Sequence, residues 1–125
     1  MTQFALAYTF AVVAFLALAD AGALAPLGDY VHAVPALDKL VHFVMYGLLA
    51  LLANAALVSR QRCWTVFRAV ATGSLIVAVA STLEEISNLY ISARHWSLGD
   101  LAANYLGILF LGVVPFIRWP QPVLE

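Results

Sequence analysis

The sequence predicts an all-α, polytopic membrane protein with four transmembrane helices, on the basis of three observations. Apolar residues make up 64% of the 125 residues, charged residues make up only 10%, and the mean hydropathy is +0.93. Soluble domains average about 45–50% apolar and about 25% charged residues. The charged residues also fall into four clusters separated by four charge-free stretches, a pattern that is typical of a chain crossing a bilayer repeatedly.

Each charge-free stretch predicts one helix, because backbone groups cannot remain unpaired in lipid and the alternating segments of a β-barrel are absent from the sequence. Crossing about 30 Å of hydrocarbon takes roughly 20 residues. The stretches are Thr2–Ala19, Leu40–Ser59, Ala69–Leu83 and Leu101–Ile117, with 18, 20, 15 and 17 residues. Since the third is short, we predict that its helix continues through Glu84, Glu85 and Asn88 toward Ile91.

The first stretch is Ala-rich and includes A-x-A spacings, as a secretory signal does, but no Lys or Arg precedes Lys39. We therefore expect a retained first helix. No internal repeat or low-complexity linker divides the sequence. Residues 1–125 are predicted to form a single domain of two helical hairpins joined by the arginine-bearing middle loop.

The distribution of cations predicts the orientation. The middle loop and the C-terminal tail together hold four Arg and one acid, whereas the other two charged clusters hold six acids with Lys39 and Arg94 as the only bases. The positive-inside rule then places both termini in the cytoplasm and the acidic loops outside. The expected location is a bacterial inner membrane, which the chain crosses several times.

The composition excludes nucleic-acid binding and any feature that needs several cysteines. The formal net charge of −1 and the six Lys and Arg residues do not supply the clustered cations that nucleic-acid binding requires. The single Cys63 excludes an internal disulfide and a cysteine-rich zinc motif.

Polar residues recur at helical spacing in three of the predicted helices. They are Asp38, His42 and Tyr46 in the second helix, Glu85 and Asn88 in the third, and Asp100 and Asn104 in the fourth. Spacings of three and four residues place side chains on one helix face. Because ionisable groups in a bilayer are costly and normally face a bundle interior, we expect one shared site at the outer ends of these helices.

Each of these residues also has a simpler explanation. Asp38 or Asp100 alone is most often a first-turn carboxylate that complements the helix dipole. His42 or Asn104 alone is more often an interhelical hydrogen-bonding residue than a catalytic group.

Two segments resemble the signature of the VanZ-like family. Residues 38–46 match D-K-x-x-H-x-x-x-Y, and residues 85–107 match E-x-x-Q followed by R-x-x-S-x-x-D-x-x-x-N-x-x-G, with Asn88 in place of the usual Gln. Asn keeps the amide donor and acceptor but shortens the reach by one methylene. The resemblance implies a membrane protein with a role related to glycopeptide resistance, and the family's biochemical activity is undefined.

Three functional hypotheses follow. In the first, the polar site binds or processes an anionic lipid or a lipid-linked envelope precursor, with Arg94 pairing with the head group. In the second, the polar residues are a non-catalytic structural knot in an accessory subunit of a larger membrane complex. A metal site is the weakest hypothesis, because one His with scattered carboxylates lacks H-E-x-x-H-type spacing, so no metal or cofactor is predicted.

A further expectation concerns the loop between the third and fourth helices. We predict that Ile91–Gly99 folds back over the bundle, with Trp96 at the membrane interface. Arg94 is expected to turn inward, because it is the only base in a cluster that contains Glu84, Glu85 and Asp100.

Overall fold

The structure is a computed structural model, and it describes residues 2–60, 65–91 and 95–117. Every regular element in these ranges is helical. The elements are α1 (Thr2–Asp20), α2 (Ala25–Ala33), α3 (Pro35–Arg60), α4 (Val66–Ser87), α5 (Leu98–Gly107), a π-helical segment (Ile108–Val113) and α6 (Val114–Ile117).

Four of the described helical stretches are long and apolar enough to cross a membrane: Thr2–Asp20, Ala36–Arg60, Val66–Ser87 and Leu98–Ile117. Many large apolar side chains on them face outward, including Phe4 and Phe10 in α1 and Phe67 in α4. In water such a surface would be strongly unfavourable, whereas in hydrocarbon it is the expected lipid-facing surface. The prediction of an all-α, multi-pass membrane protein is confirmed.

The helix boundaries differ from the prediction at α4. This helix begins at Val66, where the Thr65 hydroxyl accepts a hydrogen bond from the backbone N–H of Arg68 as an N-cap. Spanning length is therefore gained at both ends of the predicted stretch. The helix continues through Glu84 and Glu85 as predicted, but it ends at Ser87 with Asn88 as the C-cap and does not reach Ile91.

The short helix α2 lies in the connection between the first two spans and was not predicted. Pro26 occupies its first turn, where a missing N–H costs nothing. The chain leaves α2 at Val34 in an extended conformation and begins α3 at Pro35, which fits the preference of pre-proline residues for extended backbone.

Helix α3 is the centre of the bundle and contacts every other span. Its closest neighbour is the fourth span, because glycines remove side chains from that interface. Gly107 lies against the backbone carbonyl of Phe43, and a Cβ built on Gly112 would lie 2.6 Å from the Cβ of Ala50. This close approach brings the polar residues near the start of α3 next to those near the start of α5.

The fourth span is a composite of α5, the π-helical segment and α6, and not the uniform α-helix that was expected. The backbone N–H of Val114 bonds to the carbonyl of Leu109, five residues back. Pro115 lacks the N–H that would continue an α-helical ladder at the next position. The wider π turns place Ile108 and Gly112 in the buried face toward α3 and α4.

Candidate functional site

A cluster of buried and half-buried polar side chains lies where the start of α3, the end of α4 and the start of α5 meet. We call this the polar cluster; its members are Asp38, Lys39, His42, Tyr46, Glu84, Glu85, Asn88, Ser97, Asp100 and Asn104. Asp38, His42 and Tyr46 are 8%, 8% and 2% exposed and share one face of α3, as their spacing predicts.

Lys39 joins the two aspartates of the cluster. Its ammonium forms an ion pair with Asp100 Oδ1 and lies 3.4 Å from Asp38 Oδ2 and 3.4 Å from the Ser97 hydroxyl. Ser97 is also the N-cap of α5, where its hydroxyl accepts a hydrogen bond from the backbone N–H of Asp100. Sequence analysis did not assign Lys39 or Ser97 to the site, although both belong to the two sequence motifs.

His42 contacts α5 through both ring nitrogens. Nδ1 lies 3.0 Å from Asn104 Oδ1, so this nitrogen is assigned as the donor. Nε2 lies 3.6 Å from Asp100 Oδ2 and 4.0 Å from Asp38 Oδ1. Asn104 is fully buried, and among the described residues its amide nitrogen has no hydrogen-bond partner.

The two glutamates of α4 reach different partners. The Tyr46 hydroxyl donates to Glu84 Oε2 at 3.1 Å. The backbone N–H of Ser97 donates to Glu85 Oε1 at 2.8 Å, and the Asn88 amide donates to Glu85 Oε2 at 3.3 Å. Glu85 is thus linked to the aspartates through Ser97, and Glu84 is linked to α3 through the Tyr46 hydroxyl.

The structure therefore brings seven of the eight predicted site residues into one connected cluster. The eighth, Arg94, lies outside the described residues, so its inward orientation stays a prediction. The Ser97 contact with Glu85 places the end of the following loop over α4, while Leu98 and Gly99 belong to α5 and not to the loop as expected. Trp96 is 42% exposed.

A second layer of polar residues lies outside the cluster. His32 of α2 has Nδ1 3.4 Å from Asp38 Oδ1, and its ring makes an edge-on contact with the ring of His95. Sequence analysis missed His32 because nothing in its spacing linked it to the motifs. Its position depends on α2, which folds the first connection back over Asp38.

A cavity of about 390 Å³ lies beside the polar cluster, bordered by α1, α2 and α3. Its polar wall includes Asp29, His32, Asp38, His42 and His95, and its apolar wall includes Phe15, Leu27 and Val41. An apolar groove of about 480 Å³ continues between α1 and α3 and shares Phe15 and Val41 with the cavity. One continuous concave surface thus leads from the polar cluster into the apolar part of the bundle.

The chemistry available here is that of carboxylates, imidazole and one ammonium group. Four described carboxylates belong to the cluster, from Asp38, Glu84, Glu85 and Asp100, and two of them, Asp38 and Asp100, contact the ammonium of Lys39. Such groups can bind hydrogen-bond donors and cations or transfer protons. The structure also places oxygen atoms of Asp38 and Asp100 near a nitrogen of His42. These three side chains form a candidate set of metal ligands from two helices, neither of which contains a metal-binding sequence motif.

Comparison of the chain with protein-family models, with curated proteins and with solved structures finds no match.

Proposed function

We propose that this chain binds an anionic lipid or a lipid-linked envelope precursor, with the polar head group at the polar cluster and the hydrocarbon chain in the adjoining groove. The observation that carries the proposal is the cavity beside the cluster. Asp38 and His42 form part of its wall, and Phe15 and Val41 form another part. A ligand that fits such a wall has a polar end and an apolar end, which describes an amphiphile.

The apolar groove gives the hydrocarbon chain a defined path. It is lined by residues of α1 and α3, from Phe15 and Leu40 near the cavity to Tyr8 and Met45 farther along. The seven helical steps from Asp38 to Met45 correspond to about 10 Å along the helix axis. The first part of an acyl or prenyl chain can therefore pack in the groove while the rest lies in the bilayer.

The charges of the cluster favour a head group that combines an anion with hydrogen-bond donors. Lys39 supplies an ammonium, which also contacts Asp38, Ser97 and Asp100, and Arg94 is the expected second cation. The carboxylate of Asp38 in the cavity wall accepts hydrogen bonds, so it would bind hydroxyl or amino groups of a head group. A phosphate that carries a sugar, a glycerol or an amine meets both requirements.

The proposed setting is a bacterial inner membrane, with two helical hairpins, both termini in the cytoplasm and the polar cluster in the outer half of the bilayer. Support comes from the arginine excess in the middle loop and the C-terminal tail. The resemblance of residues 38–46 and 85–107 to the VanZ-like motifs favours a role in the cell envelope, including tolerance of glycopeptide antibiotics.

A second candidate is a structural role as an accessory subunit of a larger membrane complex. Two observations favour it. Most polar groups of the cluster pair with one another, and such a network of hydrogen bonds and ion pairs fixes the positions of the helices. In addition, Val12 is the only described residue of α1 that is buried, so most of this helix is free to face lipid or a partner helix.

Native mass spectrometry of the protein released from nanodiscs of phosphatidylglycerol and phosphatidylcholine tests the proposal. We expect phosphatidylglycerol to remain bound to the wild-type chain and to Leu83→Ala, a control on the exposed face of α4 outside the cavity and the groove. His42→Ala should lose this preference. If the wild-type chain shows no head-group preference, and His42→Ala only unfolds the protein, the structural role is the better account.

A further inference from the structure

Three atoms with lone pairs converge on one point between α3 and α5. They come from His42, Asp38 and Asp100, and one ligand atom of each lies within 4.8 Å of the other two. His42 Nε2 lies 3.6 Å from Asp100 Oδ2 and 4.0 Å from Asp38 Oδ1. We propose that these three side chains bind a divalent metal ion that accepts both nitrogen and oxygen ligands, such as Zn²⁺ or Mn²⁺. The proposal goes beyond lipid binding, and the metal site does not require the lipid.

The distances suit a single cation. Two ligand atoms that are each about 2.1 Å from a cation lie about 3.4 Å apart at a tetrahedral angle and at most about 4.2 Å apart. The separations from His42 Nε2 are 3.6 Å to Asp100 and 4.0 Å to Asp38. A small approach of the two carboxylates would bring all three atoms to bonding distance.

The surrounding hydrogen bonds orient these atoms. Metal-binding histidines usually donate their other ring N–H to an oxygen acceptor, and His42 Nδ1 lies 3.0 Å from Asn104 Oδ1. This contact leaves the lone pair of Nε2 directed at the carboxylates. Lys39 contacts the opposite oxygens, Oδ2 of Asp38 and Oδ1 of Asp100, so one oxygen of each carboxylate remains on the His42 side.

The cavity supplies both an entry path and an open coordination position. Asp38 and His42 form part of its wall, whereas Asp100 lies behind them, 3% exposed. Three protein ligands and one open position are typical of catalytic zinc sites. The remaining position would face the cavity, where a phosphate oxygen could bind the metal.

The metal also accounts for how an acid-rich site could bind an anion, and this step rests on the proposed function. Asp38 and Asp100 carry two negative charges beside the single ammonium of Lys39. A divalent cation reverses the local excess of negative charge and offers a phosphate a direct ligand.

Isothermal titration calorimetry of the full chain in detergent, stripped with EDTA and titrated with ZnCl₂ or MnCl₂ without added lipid, tests the metal site. We expect about one ion per wild-type chain. His42→Ala and Asp100→Asn should weaken binding by more than about tenfold, and Asn104→Ala by about 10- to 100-fold, as for other residues that orient a ligand. Asp20→Asn, which removes one carboxylate charge at an exposed position at the end of α1 and outside the cavity, should bind like wild type.

Lys39→Gln distinguishes a metal site from a purely internal ion-pair network, because it retains all three ligands and removes the competing ammonium. We expect it to bind metal at least as tightly as the wild-type chain. Absence of binding by both wild type and Lys39→Gln would overturn the proposal and leave a proton on Nε2 as the group that joins the three atoms. Equal binding by wild type and His42→Ala would also overturn it. If the chain binds no metal but still retains phosphatidylglycerol in EDTA, the metal proposal fails and the lipid-binding proposal stands.

Discussion

Substitution of Gly107 by Ala tests whether the close packing of α3 and α5 sets the geometry of the polar cluster. A Cβ at this position would overlap the carbonyl oxygen of Phe43 and lie 2.8 Å from its carbonyl carbon. These are backbone atoms, so no side-chain rotation can relieve the contact, and the two helices must move apart. Gly107 lies one helical turn after Asn104, and Phe43 follows His42, so the separation would lengthen the 3.0 Å contact between His42 and Asn104.

Two effects of opposite sign decide how much Gly107→Ala changes the free energy of unfolding. Replacing Gly by Ala within a helix stabilises it by about 1 kcal/mol. Overpacking a close interface destabilises by about 1–3 kcal/mol, and a backbone overlap belongs at the upper end of this range. We expect Gly107→Ala to lower the free energy of unfolding by about 1–2 kcal/mol. The matched control is Gly28→Ala in α2, because a Cβ on Gly28 meets no atom within 4 Å and should leave stability unchanged or slightly raised.

The assay combines SDS-induced unfolding, followed by circular dichroism, with ¹⁵N NMR of the His42 imidazole. We expect the Gly107→Ala midpoint to fall below that of wild type and Gly28→Ala, and the Nδ1 resonance to shift as its hydrogen bond weakens. A Gly107→Ala protein with wild-type stability and an unchanged imidazole spectrum would refute the argument that this glycine sets the helix spacing.

Three further predictions concern buried hydrogen bonds and orientation. Asn54 is fully buried and donates to the carbonyl of Gly112 at 2.8 Å. Asn54→Ala should therefore cost about 1–3 kcal/mol in SDS unfolding, whereas exposed Ser59→Ala should be neutral. Glu85→Gln keeps an acceptor for the backbone N–H of Ser97 and should be close to wild type in thermal unfolding, whereas Glu85→Ala should lose about 1–3 kcal/mol; equal effects of both variants would contradict this role. A periplasm-active reporter fused at the C-terminus should be inactive, and high activity would reverse the predicted orientation.

The spans and their polar faces could be predicted because each follows from a strong physical constraint. Hydrocarbon excludes unpaired backbone groups, so the charge-free stretches had to be helical. The i, i+4 spacing of Asp38 and His42 fixes them on one face of α3 whatever the tertiary structure. Because buried charge is costly, the polar faces of different helices were expected to contact one another. In the structure His42 contacts Asp100 and Asn104 of α5.

Other features depend on tertiary contacts that spacing does not encode. Lys39 projects from a different side of α3 from Asp38 and reaches Asp100 only because its side chain is long and α5 is close. Ser97 acts through its backbone as well as its hydroxyl, and a backbone donor has no sequence signature. The helix α2 is short and lies within the charged segment between Asp20 and Lys39, so charge counting assigned it to a loop.

The central claim is that an amphiphile binds with its head group at the polar cluster. The most direct test uses a phosphatidylglycerol analogue with a photoreactive head group, in nanodiscs, followed by mapping of the crosslinked peptides. We predict adducts within residues 24–32 and 38–42, which border the cavity, and loss of these adducts when unlabelled phosphatidylglycerol competes or His42 is replaced by Ala. Adducts spread evenly over exposed lipid-facing positions such as Leu75 and Leu83 of α4, and unaffected by the competitor, would contradict the claim.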